Sequence, residues 1–85
     1  MVTLLYFASL REAVGMSRED FPLPAGATPT IAGIVDALRA RPGAWSDAFA
    51  AGKSWRVALN QRMANLATPV KPGDEVAFFP PVTGG

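Results

Sequence analysis

Of the side chains that take part in covalent or acid-base chemistry, this 85-residue sequence keeps carboxylates, amines, guanidiniums, hydroxyls and one phenol, with no histidine and no cysteine. That composition removes thiolate nucleophiles, disulfides, the usual zinc ligand sets, iron-sulfur ligation and histidine proton transfer. The seven carboxylates form no convincing pair. Asp74-Glu75 sits in a turn signal and Glu19-Asp20 flanks Phe21, without the apolar shielding that lifts a carboxyl pKa into a catalytic range. Gly26, Gly33, Gly43, Gly52 and Gly73 are isolated and build no phosphate-cradling loop. The chain therefore does not read as an enzyme on its own. What remains is the main-chain carboxylate of Gly85, preceded by Gly84 and by Phe78-Phe79-Pro80-Pro81-Val82-Thr83.

Each proline fixes its own φ and pushes the preceding residue towards extended geometry, so Pro80 and Pro81 are expected to hold the end away from the body. From Val82 to Gly85 the reach is about 14 Å at ~3.5 Å per extended residue, enough to enter a narrow pocket of a partner. Two residues without a β-carbon make the tip slim. A carboxylate with a pKa of about 3.5 is ionised at neutral pH and resists nucleophiles, so it needs a leaving group before it reacts.

The elements that hold this tail form a single small domain over residues 1–79, followed by an extended tail over 80–85. Composition is that of an ordinary globular protein, with 49% hydrophobic residues, 18% charged residues and a net charge of +1. Basic residues are dispersed among acids, which argues against a nucleic-acid or anionic-membrane surface. No apolar run spans a bilayer, and the stretch Met1 to Leu10 lacks a basic region and a usable cleavage site, so the chain is read as cytoplasmic.

Val2 to Ala8 is β-branched and aromatic, with apolar residues on both alternating faces, and reads as an interior strand. Ser9 to Val14 makes a short helical turn closed by Gly15, and Asp20 to Leu23 a brief strand interrupted by Pro22. Thr30 is placed as the N-cap of a helix with Ile31, Ile34, Val35 and Leu38 on one stripe, ending near Arg41 before Pro42-Gly43. Ala44 to Ala50 pins a short helix with Trp45 and Phe49. Ser54 to Leu59 alternates Trp55, Val57 and Leu59 against Ser54, Arg56 and Ala58 as a half-buried strand, Asn60-Gln61 turns, and a short piece around Met63 returns. Glu75 to Phe79 is the last strand. With strands at both ends and one amphipathic helix between, the expected fold is α+β: a mixed sheet of four to five strands, the terminal strands parallel at its centre, one main helix on one face. That is the β-grasp, or ubiquitin-like, architecture, with an irregular five-stranded barrel as the rival.

The closing Lys71-Pro72-Gly73-Asp74-Glu75-Val76-Ala77-Phe78-Phe79-Pro80-Pro81-Val82-Thr83-Gly84-Gly85 resembles the C-terminus of the molybdopterin synthase small subunits, the sulfur carriers of molybdenum cofactor biosynthesis. Leu5-Tyr6-Phe7-Ala8, Leu10-Arg11-Glu12 and Leu59-Asn60-Gln61 extend the resemblance over nearly the whole chain, with residues 42–54 variable. The resemblance implies no permanently bound cofactor and a cycle run by outside proteins. An adenylating enzyme akin to those that activate ubiquitin joins AMP from ATP to Gly85, and a sulfurtransferase or cysteine desulfurase then makes a thiocarboxylate. The tail, with Gly84 threading and Pro80, Pro81, Val82 and Thr83 behind it, enters the large catalytic subunit of a complex of two small and two large subunits. There the sulfur passes to a cyclic pyranopterin phosphate to build the dithiolene. By the same resemblance Phe7, Arg11, Met63 and Phe79 contact the large subunit. Core packing for the apolar three and a solvated helix-end charge for Arg11 are the alternatives. A protein modifier conjugated through Gly85, a thiamine-type sulfur carrier and a plain interaction domain are the other readings.

Overall fold

The computed structural model describes residues 1–23, 29–50 and 55–81. Gly26, Gly52 and the tail residues Val82, Thr83, Gly84 and Gly85 lie outside them. Strand β1 covers Val2–Tyr6, helix α1 Ala8–Val14, strand β2 Arg18–Phe21, helix α2 Ile31–Arg39, helix α3 Trp45–Ala48, strand β3 Arg56–Leu59, strand β4 Arg62–Met63 and strand β5 Glu75–Phe79. The five strands form one sheet in the order β2-β1-β5-β3-β4. At its centre β1 and β5 run parallel, with Leu4 beside Val76 and Tyr6 beside Phe78. Terminal strands paired in parallel at mid-sheet, with helices between them in sequence, make a β-grasp fold.

Alternation decides which side chains go inside. Val2, Leu4 and Tyr6 of β1 and Val76 and Phe78 of β5 face the helices and are all buried. They meet Leu10 of α1, the stripe Ile31, Ile34, Val35 and Leu38 of α2, and Trp45 and Phe49 at α3 in one core. The stripe is the one that its three- and four-residue spacing required. Thr30 caps α2, its Oγ1 accepting from the Gly33 N–H at 3.3 Å. Two more donors of the first turn are taken up from outside: Ile31 N–H by the Thr68 carbonyl and Ala32 N–H by that of Leu66. The segment after β4 therefore swings away from the sheet to close the start of the helix.

Several boundaries differ from the sequence reading. β1 stops at Tyr6 rather than Ala8, because the chain reverses through Ala8 at φ 51 straight into α1. Alanine carries no signal for that left-handed conformation, which most residues avoid. β2 starts two residues earlier than expected, so Pro22 lies past its end instead of interrupting it. In β3 both Val57 and Ala58 are buried and Leu59 is only half-buried, so the expected alternation fails. Ala58 lies between Ala77 of β5 and Met63 of β4, with a paired strand on either side of it. Asn60 and Gln61, at φ 51 and φ 68, make the tight hairpin between β3 and β4.

Phe78 is the centre of the aromatic packing, 5.1 Å from Phe49, 5.8 Å from Trp55 and 5.9 Å from Tyr6 between ring centroids. Truncating it leaves a cavity that three rings cannot all close. Phe78→Ala is expected to destabilise the fold by about 3–5 kcal/mol, read as a fall in the urea midpoint.

Candidate functional site

The last strand fixes where the tail begins. β5 is bonded on both sides, to β1 and to β3, so Phe79 leaves the middle of the sheet rather than an edge. Pro80 and Pro81 follow at once and are half-buried. Neighbouring strand residues point to opposite faces, so burial of Phe78 turns Phe79 towards the face that the helices leave open, where it is half-buried.

On that open face the register lines up Leu5, Ala77, Ala58 and Met63 on successive strands, with Arg18 of β2 at one end of the row. Phe79 stands one pleat along from Ala77, beside Arg56 of β3. Of the residues that the sequence analysis put on a partner surface, Met63 is 67% exposed and Phe7 45%, so neither is a core side chain. Phe7 donates its N–H to the Phe78 carbonyl at 3.0 Å, which holds it at the end of the sheet where the tail starts. Arg11, exposed, lies one helical turn beyond Phe7, whose carbonyl accepts its N–H. The structure thus gathers Phe7, Arg11, Phe79, Pro80 and Pro81 at one end and places Met63 on the far edge strand of the same sheet. Leu5, Ala58 and Ala77, which complete the apolar row, were missed by sequence reasoning. The signal was present in the apolar residues on both faces of β1 and β5, but it reads equally as a strand buried on both sides.

Two polar networks brace this platform. The Tyr6 hydroxyl donates to Glu19 Oε2 at 2.9 Å, and Arg41 closes both Glu19 oxygens at 2.8 and 2.7 Å. The guanidinium also lies 4.5 Å from the Trp45 ring centroid. The network joins β1, β2 and the region between α2 and α3. Glu19 is held below the ordinary carboxylate range, first by the Arg41 hydrogen bonds and then by that of Tyr6, against an opposing effect of burial. Burial, followed by the bond to Glu19, drives the Tyr6 phenol upward. In the second network Asp74, only 6% exposed, accepts from Asn60 Nδ2 and from the Lys71 N–H, while Asn60 Oδ1 accepts from the Glu75 N–H. The Asp74 carboxyl is pushed down, chiefly by Asn60. Both carboxylates are thus shifted in the direction opposite to that of a general acid. Among the described residues no three acidic, histidine or cysteine side chains gather to hold a metal ion. No helix there is long and apolar enough to cross a membrane.

The open face is apolar along the Leu5–Ala77–Ala58 row and carries Asp20 and Glu75 across from Thr3 at the other end of the strands. The model of the ThiS family matches residues 4–85. The chain belongs to the ThiS family. It is 39% identical to the molybdopterin synthase sulfur carrier subunit of Escherichia coli over 100% of both chains. Among solved structures it is similar to small archaeal modifier protein 1 from Haloferax volcanii, with a TM-score of 0.74, 26% identity and coverage of 99% of this chain and 98% of that one. It is also similar to a chain in the complex of subunits 1 and 2 of the molybdopterin-converting factor from Helicobacter pylori, with a TM-score of 0.64, 25% identity and coverage of 99% and 97%.

The Glu19 shift gives a pH test. A carboxylate with a folded pKa below its ordinary 4.5 adds stability that is complete above that value and is lost as pH falls through the folded pKa. Arg41→Met is expected to cost about 1–3 kcal/mol near neutral pH, and the gap between wild type and variant to narrow on acidification below pH 4.5, followed by urea unfolding across a pH series.

Proposed function

We propose that this chain is the sulfur carrier subunit of a molybdopterin synthase, working in the cytoplasm, with the main-chain carboxylate of Gly85 as its working group. The observation that carries this reading is the full-length match to a sulfur carrier subunit, 39% identical with neither chain left over. The tail chemistry read from the sequence supports it. A Gly85 carboxylate oxygen attacks the α-phosphorus of ATP in the site of an adenylating enzyme, and pyrophosphate leaves. The terminal sulfur of a persulfide on a sulfurtransferase or cysteine desulfurase displaces AMP from the acyl-adenylate to give an acyl disulfide, and a thiol then cleaves the sulfur–sulfur bond, forming a disulfide with the donor's sulfur and releasing the thiocarboxylate. In the large subunit that sulfur moves to the cyclic pyranopterin phosphate, and water restores the carboxylate.

Each part of the chain serves this cycle for a physical reason. Gly84 and Gly85 let the backbone thread a channel that a β-carbon would block, and their freedom in φ lets one tip fit both the adenylating and the transferring site. Pro80 and Pro81, each with φ fixed by its ring, stiffen the start of the stalk. The open face, with Phe7, Arg11, Met63 and Phe79 around the Leu5–Ala77–Ala58 row, is the contact for the large subunit. A second reading is favoured by the likeness to small archaeal modifier protein 1: the same activated Gly85 is joined to an amine of another protein.

Intact mass after incubation with the activating enzyme, ATP and a sulfur donor decides between them. Replacement of one oxygen by sulfur supports the carrier, higher-mass conjugates support the modifier, and no change removes both. Deletion of Gly85 is expected to abolish loading and leave the unfolding curve unchanged. Phe79→Asp, on the open face, is expected to weaken co-elution with the large subunit by about tenfold or more in Kd while the free domain still unfolds cooperatively.

A further inference from the structure

The open sheet face carries its charges in two separate sets. Alternation puts Thr3 and Leu5 of β1, Glu75, Ala77 and Phe79 of β5, and Arg56 and Ala58 of β3 on that face. Its middle is the apolar row, with Arg18 at the β2 end. One pleat towards the tail, Arg56 stands across from Phe79. One pleat the other way, Asp20 and Glu75 flank Thr3. Arg18, Arg56 and Asp20 are exposed and Glu75 is half-buried, and none of the four enters a salt bridge among the described residues, where Glu19–Arg41 is the one pair. The arginines thus lie level with the apolar row or on its tail side, and the acids lie on its far side.

We propose that, in the free chain, a second copy of the same chain covers this face, turned end for end so that the two apolar rows lie on each other. A two-fold interface needs a surface complementary to itself, and a two-fold axis along the row supplies one, because it keeps the row in place and exchanges the tail side with the far side. Glu75 of the second copy then lies opposite Phe79, one strand spacing of about 4.8 Å from Arg56 and within reach of its guanidinium. Arg18 lies one pleat, about 7 Å, from Asp20 of the second copy. By symmetry each pair occurs twice. An axis along the strands would instead set acids over acids at one end and arginines over arginines at the other, so charge selects the direction. The face is small: five strands about 4.8 Å apart, with about five residues at ~3.4 Å each, give on the order of 400 Å² per copy, about half of what each partner of a stable complex buries. The pairing is accordingly weak, with a Kd on the order of 0.1–1 mM, and yields to a partner that adds contacts around Phe7 and the tail. Self-pairing and docking on the large subunit exclude each other; that exclusion rests on the function proposed above, and the pairing itself does not.

The test dilutes the full chain, labelled for NMR, from ~1 mM to ~20 μM, with sedimentation run in parallel. Saturable, concentration-dependent shifts are expected at the amides of Leu5, Ala58, Ala77 and Phe79, with the sedimenting mass rising towards twice 8.9 kDa. Arg56→Glu and Glu75→Arg are each expected to raise the dimer Kd about tenfold, and the double variant Arg56→Glu, Glu75→Arg to return it to within about threefold of wild type, because the pair is restored with its ends exchanged. Arg18→Glu, at an exposed site on β2, provides an independent loss. A monomer throughout the series, shifts that map to the helices instead, the same Kd in wild type and charge variants, or a double variant no tighter than the single ones overturns the proposal. The large subunit is added in a separate titration. Its failure to bind overturns the proposed function and leaves the self-pairing result standing, whereas binding that leaves the dimer shifts in place overturns the exclusion.

Discussion

The parallel pairing of β1 with β5 is the constraint on which everything else rests. The two strands come from opposite ends of the chain, and their contact closes a loop of nearly the whole domain. It sets the last strand at mid-sheet, bonded on both sides, so that the chain leaves Phe79 from the interior of the sheet. A tail on an edge strand would move with its edge. The same pairing sorts the side chains: the face bearing Leu4, Tyr6, Val76 and Phe78 must be covered, and the helices cover it. The other face, with Leu5, Ala77 and Phe79, is left half-open beside the tail.

A small domain has little apolar area with which to hold such an arrangement, and aromatic packing concentrates what there is. Phe78 touches three rings, and Tyr6 couples them to the Glu19–Arg41 pair. That pair links residues 22 apart in sequence and ties β2 to the chain just past α2. Its partial burial makes each member depend on the other, because removing one leaves a charge with too few partners. On the far side the Asn60–Asp74 bond ties the β3–β4 hairpin to the start of β5. Edge strands are also guarded: β2 carries Arg18, Glu19 and Asp20, and β4 is only two residues long, which discourages unwanted sheet extension.

The open sheet face follows from the same economy of structure. A sheet with helices on one side alone must expose the other, and alternation allows apolar residues there only where something else can cover them. Likewise the segment after β4 cannot both extend the sheet and supply carbonyls to the first turn of α2. It does the second. Features useful for recognition thus arise where the fold leaves a hydrogen-bonding or packing demand unmet.

The amino-acid sequence alone determined the element types, the buried stripe of α2 with its Thr30 cap, the span of β5 and the parallel pairing of the terminal strands. These depend on spacings of two to four residues or on the residue types themselves, and neighbours in sequence carry that information. Tertiary structure decided that β1 ends in a left-handed Ala8, that Ala58 is covered, that Leu5, Ala77, Ala58 and Met63 share one row, and that Arg41 belongs to Glu19. Those outcomes depend on register between strands distant in sequence. Register is chosen by whichever arrangement buries the most apolar surface while leaving no charge without a partner, a balance that no local pattern expresses.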